Sequence, residues 1–108
     1  MTTIKAAHQG TVVLAGVDPS YPGRGNAVYV RCDPCQKEHH YYHLEELFVF
    51  RTQPIDKGME LGIMGSTGWE YWGIPEEEVA DHLHWGIKDL VTGKFTDPLS
   101  ILNVPQVP

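Results

Sequence analysis

The chain is short of basic residues, of cysteine and of long apolar runs, and each shortage closes off a class of function. Eight lysines and arginines stand against fourteen acidic residues, for a net charge of −6 over 108 residues. Phosphate backbones are bound by basic patches, so no nucleic-acid partner is expected. The same deficit leaves no polybasic anchor for an anionic membrane surface. No stretch is apolar and long enough to span a bilayer, so no membrane span is expected. The opening Met1-Thr2-Thr3-Ile4-Lys5 lacks the basic-then-apolar pattern of a secretory signal. The expected location is therefore the cytoplasm or a phage particle, unless the chain is processed or exported by another route. Two cysteines, both in Cys32-Asp33-Pro34-Cys35, are too few for a disulfide scaffold. No segment repeats and no shift in composition divides the chain, which predicts a single domain over residues 1–108.

What is present points to strands. A chain of this length can bury a core without covalent staples. Eleven glycines and eight prolines supply many tight turns. Thr11 to Ala15, Ala27 to Val30, His40 to Leu44, Phe48 to Phe50, Met59 to Met64 and His82 to Ile87 read as short strands. Asp18 to Gly25 is a loop, and Asp33-Pro34 makes a turn that puts both cysteines near a hairpin tip. Gly65-Ser66-Thr67-Gly68 opens a long loop through Asp81. Phe95-Thr96-Asp97-Pro98 is expected to begin a closing turn of helix to Leu102, before an extended tail from Val104. Many short strands at close spacing predict an all-β fold, a two-sheet antiparallel sandwich or partly closed barrel.

His82-Leu83-His84 is the most informative triplet. On a strand, His82 and His84 point to one face and Leu83 to the other. Two imidazoles one pleat apart can share a metal or divide into ligand and base. Taken alone, the triplet reads first as two surface histidines on an exposed strand face. His43, in Tyr42-His43-Leu44-Glu45, is a third candidate on another strand.

The order of several short matches resembles the lysostaphin-type, LytM-like zinc metallopeptidases, which cut peptide bonds in bacterial peptidoglycan. Ala7 to Val13 is similar to that family's A-x-x-G-x-V strand and Gly25 to Val30 to its G-N-x-V-x-I strand. Tyr42-His43-Leu44 resembles Y-x-H-L. Lys57-Gly58 through Gly62 to Gly68 resembles the glycine-punctuated run that ends G-x-T-G. His82-Leu83-His84-Trp85 resembles H-L-H-F, and Phe95 to Leu102 the closing D-P-x-x-x-L. The resemblance spans Ile4 to Leu102. It implies that His84 binds zinc, that His82 acts beside the catalytic water, and that His43 lines the opposite wall and stabilises the transition state. Zinc would lower the pKa of bound water and polarise the scissile carbonyl.

The resemblance is incomplete. The family draws two more zinc ligands from an H-x-x-x-D motif that precedes the A-x-x-G-x-V strand, and His8 falls too late to supply one. Gly86 stands where the family often has an acidic residue, and the loop from Trp69 to Asp81 is longer than the usual link. Three outcomes follow. His43, His82 and His84 form an improvised three-histidine site and the chain is an active zinc endopeptidase. Asp81 or one of Glu76 to Glu78 swings in as a ligand. Or the zinc site is degenerate, and the domain is a binding or regulatory module for peptidoglycan or a wall hydrolase. The last is the expectation. A phage-related or intracellular protein reusing the fold for an unrelated interaction is a further alternative.

Two other features are candidates in their own right. Trp69, Tyr71 and Trp72 could form a platform for sugar or peptide, or could plug a small core. Cys32, Cys35 and His39 follow a C-x-x-C-x-x-x-H spacing that can hold structural zinc at a hairpin tip. Idle thiols or a local disulfide are the alternatives, and His40 should face away from His39.

Overall fold

The computed structural model describes residues 2–68 and 84–96, the side chains of His84 and Thr96 excepted. Eight strands are present among them: β1 (Thr3–Lys5), β2 (Gly10–Val17), β3 (Asn26–Cys32), β4 (Lys37–Leu47), β5 (Pro54–Ile55), β6 (Glu60–Met64), β7 (His84–Asp89) and β8 (Phe95–Thr96). The only helical element among the described residues is a 3-10 turn over Pro22–Arg24. No described helix is long and apolar enough to cross a membrane. The all-β antiparallel reading holds. Hydrogen bonds join the strands into one sheet of order β1-β6-β4-β3-β2-β5, with β7 paired to β4 and β8 to β7.

The sheet curls around its main core. Strands from both ends of that order contribute to a single apolar cluster: Ile4, Val12, Val28, Val30, Tyr41, Leu44, Ile55 and Leu61 are all buried there. Strands so far apart in the hydrogen-bonded order can meet in one core only if the sheet folds over. The alternation of β3 shows both faces at work. Val28 and Val30 enter the main core, while Ala27 and Tyr29 point into a smaller cluster with Tyr42.

β4 organises the fold. Its first half, Lys37 to Tyr42, pairs with β7, and its second half, Leu44 to Leu47, pairs with β6. Against β3 the register shifts across the same place, from Tyr41↔Val28 to Leu44↔Asn26. Tyr42 and His43 thus oppose the single residue Ala27, a bulge that bends the strand.

Two expectations need correction. Phe48 to Phe50 is not a strand; Phe48 donates its N–H to the Leu61 carbonyl and the segment then turns away from the sheet. Phe95-Thr96 does not open a helical turn but pairs with Lys88 and Ile87 as β8, because the preceding turn at Gly93 returns the chain onto β7. The rest of the expected closing turn, Asp97 to Leu102, lies outside the described residues, as does the tail.

Candidate functional site

His43 sits at the fork of β4. It is 3 % exposed and has a φ of +60°, a left-handed backbone conformation that costs a non-glycine residue energy. Its ring Nδ1 lies 2.6 Å from the carbonyl oxygen of Thr67. A carbonyl only accepts, so Nδ1 carries the proton and Nε2 is the basic nitrogen. Thr67 is fixed in turn: its hydroxyl donates to the Leu44 carbonyl at 2.7 Å and accepts from the Asn26 N–H at 3.1 Å. Gly68 and Gly25 let this loop reach β3. Both have positive φ, and a Cβ on Gly68 would collide with the backbone of Gly25. The Gly65-Ser66-Thr67-Gly68 segment is therefore the seat that holds the His43 ring.

The pairing of β4 with β7 ends at Tyr42↔His84. The backbone of His84 thus lies on the strand next to β4, one residue in register from His43. His43 and the backbone of His84 meet where the pairing of β4 with β7 ends. His82 lies outside the described residues, as do Asp81, Glu76, Glu77 and Glu78, and the aromatic loop residues Trp69, Tyr71 and Trp72.

Beside His43 the sheet carries a polar and aromatic layer that the sequence did not announce. Glu38, His40 and Tyr42 alternate onto one face of β4, all buried. His40 Nε2 donates to Glu38 Oε1 at 2.6 Å, and the Tyr42 hydroxyl is 3.2 Å from His40 Nδ1. Arg31 donates to the other carboxylate oxygen at 2.8 Å. The bond from His40 is the main influence holding the Glu38 carboxyl down to about 2, with Arg31 adding to it against the opposing effect of burial. Burial holds His40 below the ordinary histidine range against the opposing pull of the Glu38 hydrogen bond. The Tyr29 ring stacks on His40 at 3.6 Å, and its hydroxyl accepts from Arg24 and donates to Asp18. Burial pushes the Tyr42 hydroxyl up to about 12.

At the other end of β4 the cysteines occupy the hairpin tip, joined as a Cys32–Cys35 disulfide with Cα atoms 5.2 Å apart. The imidazole beside them is that of His8, whose Nε2 is 3.4 Å from Cys35 Sγ. His39 stacks on His8 with ring centroids 6.0 Å apart, and its Nδ1 accepts from the Trp85 indole at 3.2 Å. Among the described residues, His8, Cys32 and Cys35 form the one group of three side chains able to share a metal ion.

A model of peptidase family M23 matches residues 1–98. The chain belongs to peptidase family M23. Its fold superposes on the catalytic domain of lysostaphin, the antimicrobial peptidase of Staphylococcus simulans, with a TM-score of 0.74 and 26% identity over 94% of this chain and 71% of that one. It also matches a structure of the SpoIIQ-SpoIIIAH pore forming complex, with a TM-score of 0.69 and 24% identity over 92% of this chain and 56% of that one. A third match is the catalytic domain of EnpA, a prophage-encoded M23 protein from Enterococcus faecalis, with a TM-score of 0.66 and 22% identity over 90% of this chain and 67% of that one. No curated protein sequence matches the chain. It spans just over half of the matched SpoIIQ-SpoIIIAH chain and 39% of full-length lysostaphin.

M23 peptidases depend on zinc, and a hydrolytic zinc site takes three protein ligands and keeps one position open. Of the family's zinc ligands, the resemblance carries over His84, whose backbone lies on the strand beside His43. His43 donates its Nδ1 proton to Thr67, which places the ring lone pair on Nε2. Of the three candidate histidines, the structure describes the side chain of His43 alone; His82 and the His84 side chain lie outside the described residues.

Proposed function

We propose that the M23 domain formed by residues 1–108 binds cell-wall peptide without cutting it and serves as a recognition or regulatory module. The observation that supports this is the contrast within the groove. The wall at His43 is kept in a costly backbone conformation with its ring locked onto Thr67, next to the strand that carries His84. Yet only one of the family's zinc ligands is matched in these residues. A preorganised wall without its full metal set retains the means to orient a peptide and lacks the means to activate water. The likeness to lysostaphin supports peptidoglycan as the surface bound. The SpoIIQ-SpoIIIAH pore forming complex supports the idea that the M23 fold also serves in protein assemblies. Trp69, Tyr71 and Trp72 are assigned the role of an aromatic contact platform.

Sedimentation of the chain with insoluble peptidoglycan tests the proposal. The wild type should co-sediment, and replacing Trp69 and Trp72 together by alanine should weaken binding by at least about tenfold, as loss of an aromatic anchor does. Undiminished binding by that variant would remove the loop from the account. A wild-type chain that stays in the supernatant would sink wall recognition and favour a partner unrelated to walls.

A further inference from the structure

The geometry points to a second metal site, built on thiolates rather than on the groove: His8, Cys32 and Cys35 hold a thiophilic divalent ion such as Zn²⁺ once the Cys32–Cys35 disulfide is reduced. The site does not depend on the groove or on the proposed function.

Three observations carry it. The ligand atoms of His8, Cys32 and Cys35 lie within 4.8 Å of one another. Around a tetrahedral zinc, sulfur and nitrogen ligands stand roughly 3.5–3.8 Å apart, given Zn–S and Zn–N bonds of about 2.3 and 2.0 Å. The Cys35 Sγ to His8 Nε2 separation of 3.4 Å is already close to this. Second, the tautomer of His8 suits a ligand. Its Nδ1 is 3.0 Å from the Gln9 carbonyl, to which it must donate, so the lone pair is at Nε2; Cys35 Sγ lies beside the ring, 3.4 Å from Nε2 and 3.5 Å from Nδ1, and a small turn of the imidazole would aim Nε2 at a shared ion. A metal-bound histidine ordinarily anchors its other ring N–H on a carbonyl in this way.

Third, the rival imidazole is spoken for. His39 Nδ1 accepts the Trp85 indole N–H, so the single lone pair of the neutral ring is used and the ring proton is on Nε2. Burial holds His39 below the ordinary histidine range. The C-x-x-C-x-x-x-H spacing pointed to His39; the fold substitutes His8, 27 residues before Cys35, because β2 runs antiparallel to β3 and brings the β1–β2 connection to the hairpin tip.

Opening the site balances simply. A dithiol reductant gives one hydrogen to each sulfur and is itself left as a disulfide. The ion then displaces the two thiol protons to solvent, and water fills the fourth position. The disulfide closes only a short loop within one turn. The metal would instead tie that turn to the sequence-distant His8, so it should stabilise the reduced protein more than the disulfide does the oxidised one.

The test titrates Co²⁺ into the full chain after reduction with a dithiol and its removal under argon. Cobalt reports sulfur ligation by an intense thiolate-to-metal charge-transfer band, which histidine ligands in the groove cannot produce. The expected result is one equivalent bound with that band in reduced wild type and in His39→Ala, displacement by Zn²⁺, and a raised melting temperature. The band should be lost in Cys35→Ser, which alters a half-buried residue and avoids disturbing the buried Cys32. In His8→Ala affinity should fall at least about tenfold, since even partners behind the ligands cost that much. A reduced wild type without the band, a His8→Ala protein of undiminished affinity, or the same band in oxidised protein would each overturn the assignment.

Discussion

Glu38 is 4 % exposed, yet every oxygen of its carboxylate has a donor, from His40 on one side and Arg31 on the other. Removing one partner of a buried charged hydrogen bond leaves the other unsatisfied. Glu38→Ala should therefore lower unfolding free energy by about 2–4 kcal/mol in denaturant titration. The same cluster sets the response to acid. Glu38 is held at about 2 in the fold against 4.5 when free, so the unfolded chain takes up its proton first. Its stabilisation is complete above pH 4.5 and is lost as pH falls toward 2. His40 is depressed below 6.5 by burial, so the unfolded chain also gains its histidine proton first, and stability begins to decline as pH falls through 6.5. Stability measured against pH should fall in two stages. Glu38→Gln should shrink the lower stage while keeping the upper one; Asp89, held at about 2 by Lys37 and its own turn, leaves part of the lower stage in place. A single acid transition unaffected by Glu38→Gln would contradict the assignment. None of this could be read from the sequence, where Lys37-Glu38-His39-His40 looks like the polar stem of a hairpin. Its burial is imposed by β3 and β7 on either side.

At the scale of the element, β4 carries the site because it serves two partner strands in succession. The positive φ at His43 has no local signal: neither neighbour is glycine or proline, and the bulge arises only because β7 leaves and β6 arrives at that residue. The strand itself and its histidine were legible from Tyr42-His43-Leu44. The loop that seats the ring was legible as a glycine-rich turn, but its role was not. Thr67→Val removes both hydroxyl bonds and should cost about 1–3 kcal/mol. Gly68→Ala, which forces a Cβ against the Gly25 backbone at a φ of +89°, should cost about 1–3 kcal/mol and displace the Thr67 carbonyl from His43. A shifted His43 ring resonance by NMR would register that displacement; an unchanged ring signal in a folded Gly68→Ala protein would show that the seat does not depend on this turn. The cysteine tip shows the same division. Spacing located it, and only the pairing of distant strands brought His8 beside the sulfurs.

For the whole molecule, the ordered set of short motifs was enough to reach the fold and the family, since each motif marks a strand or turn whose neighbours are dictated by the curl of the sheet. The core supports this economy. Leu61, wholly buried between β1 and β4, should cost about 2–5 kcal/mol on replacement by alanine. What the motifs do not carry is chemistry, because M23 catalysis needs ligands from separate segments to converge. The most direct measurement is the appearance of new amino groups when the zinc-repleted 108-residue chain is incubated with purified peptidoglycan, with sedimentation followed in parallel. Binding to the wall with no release of amines is the result this account predicts. Amine release that disappears in His84→Ala would contradict it, and would show that the groove assembles a working zinc site from residues within the chain.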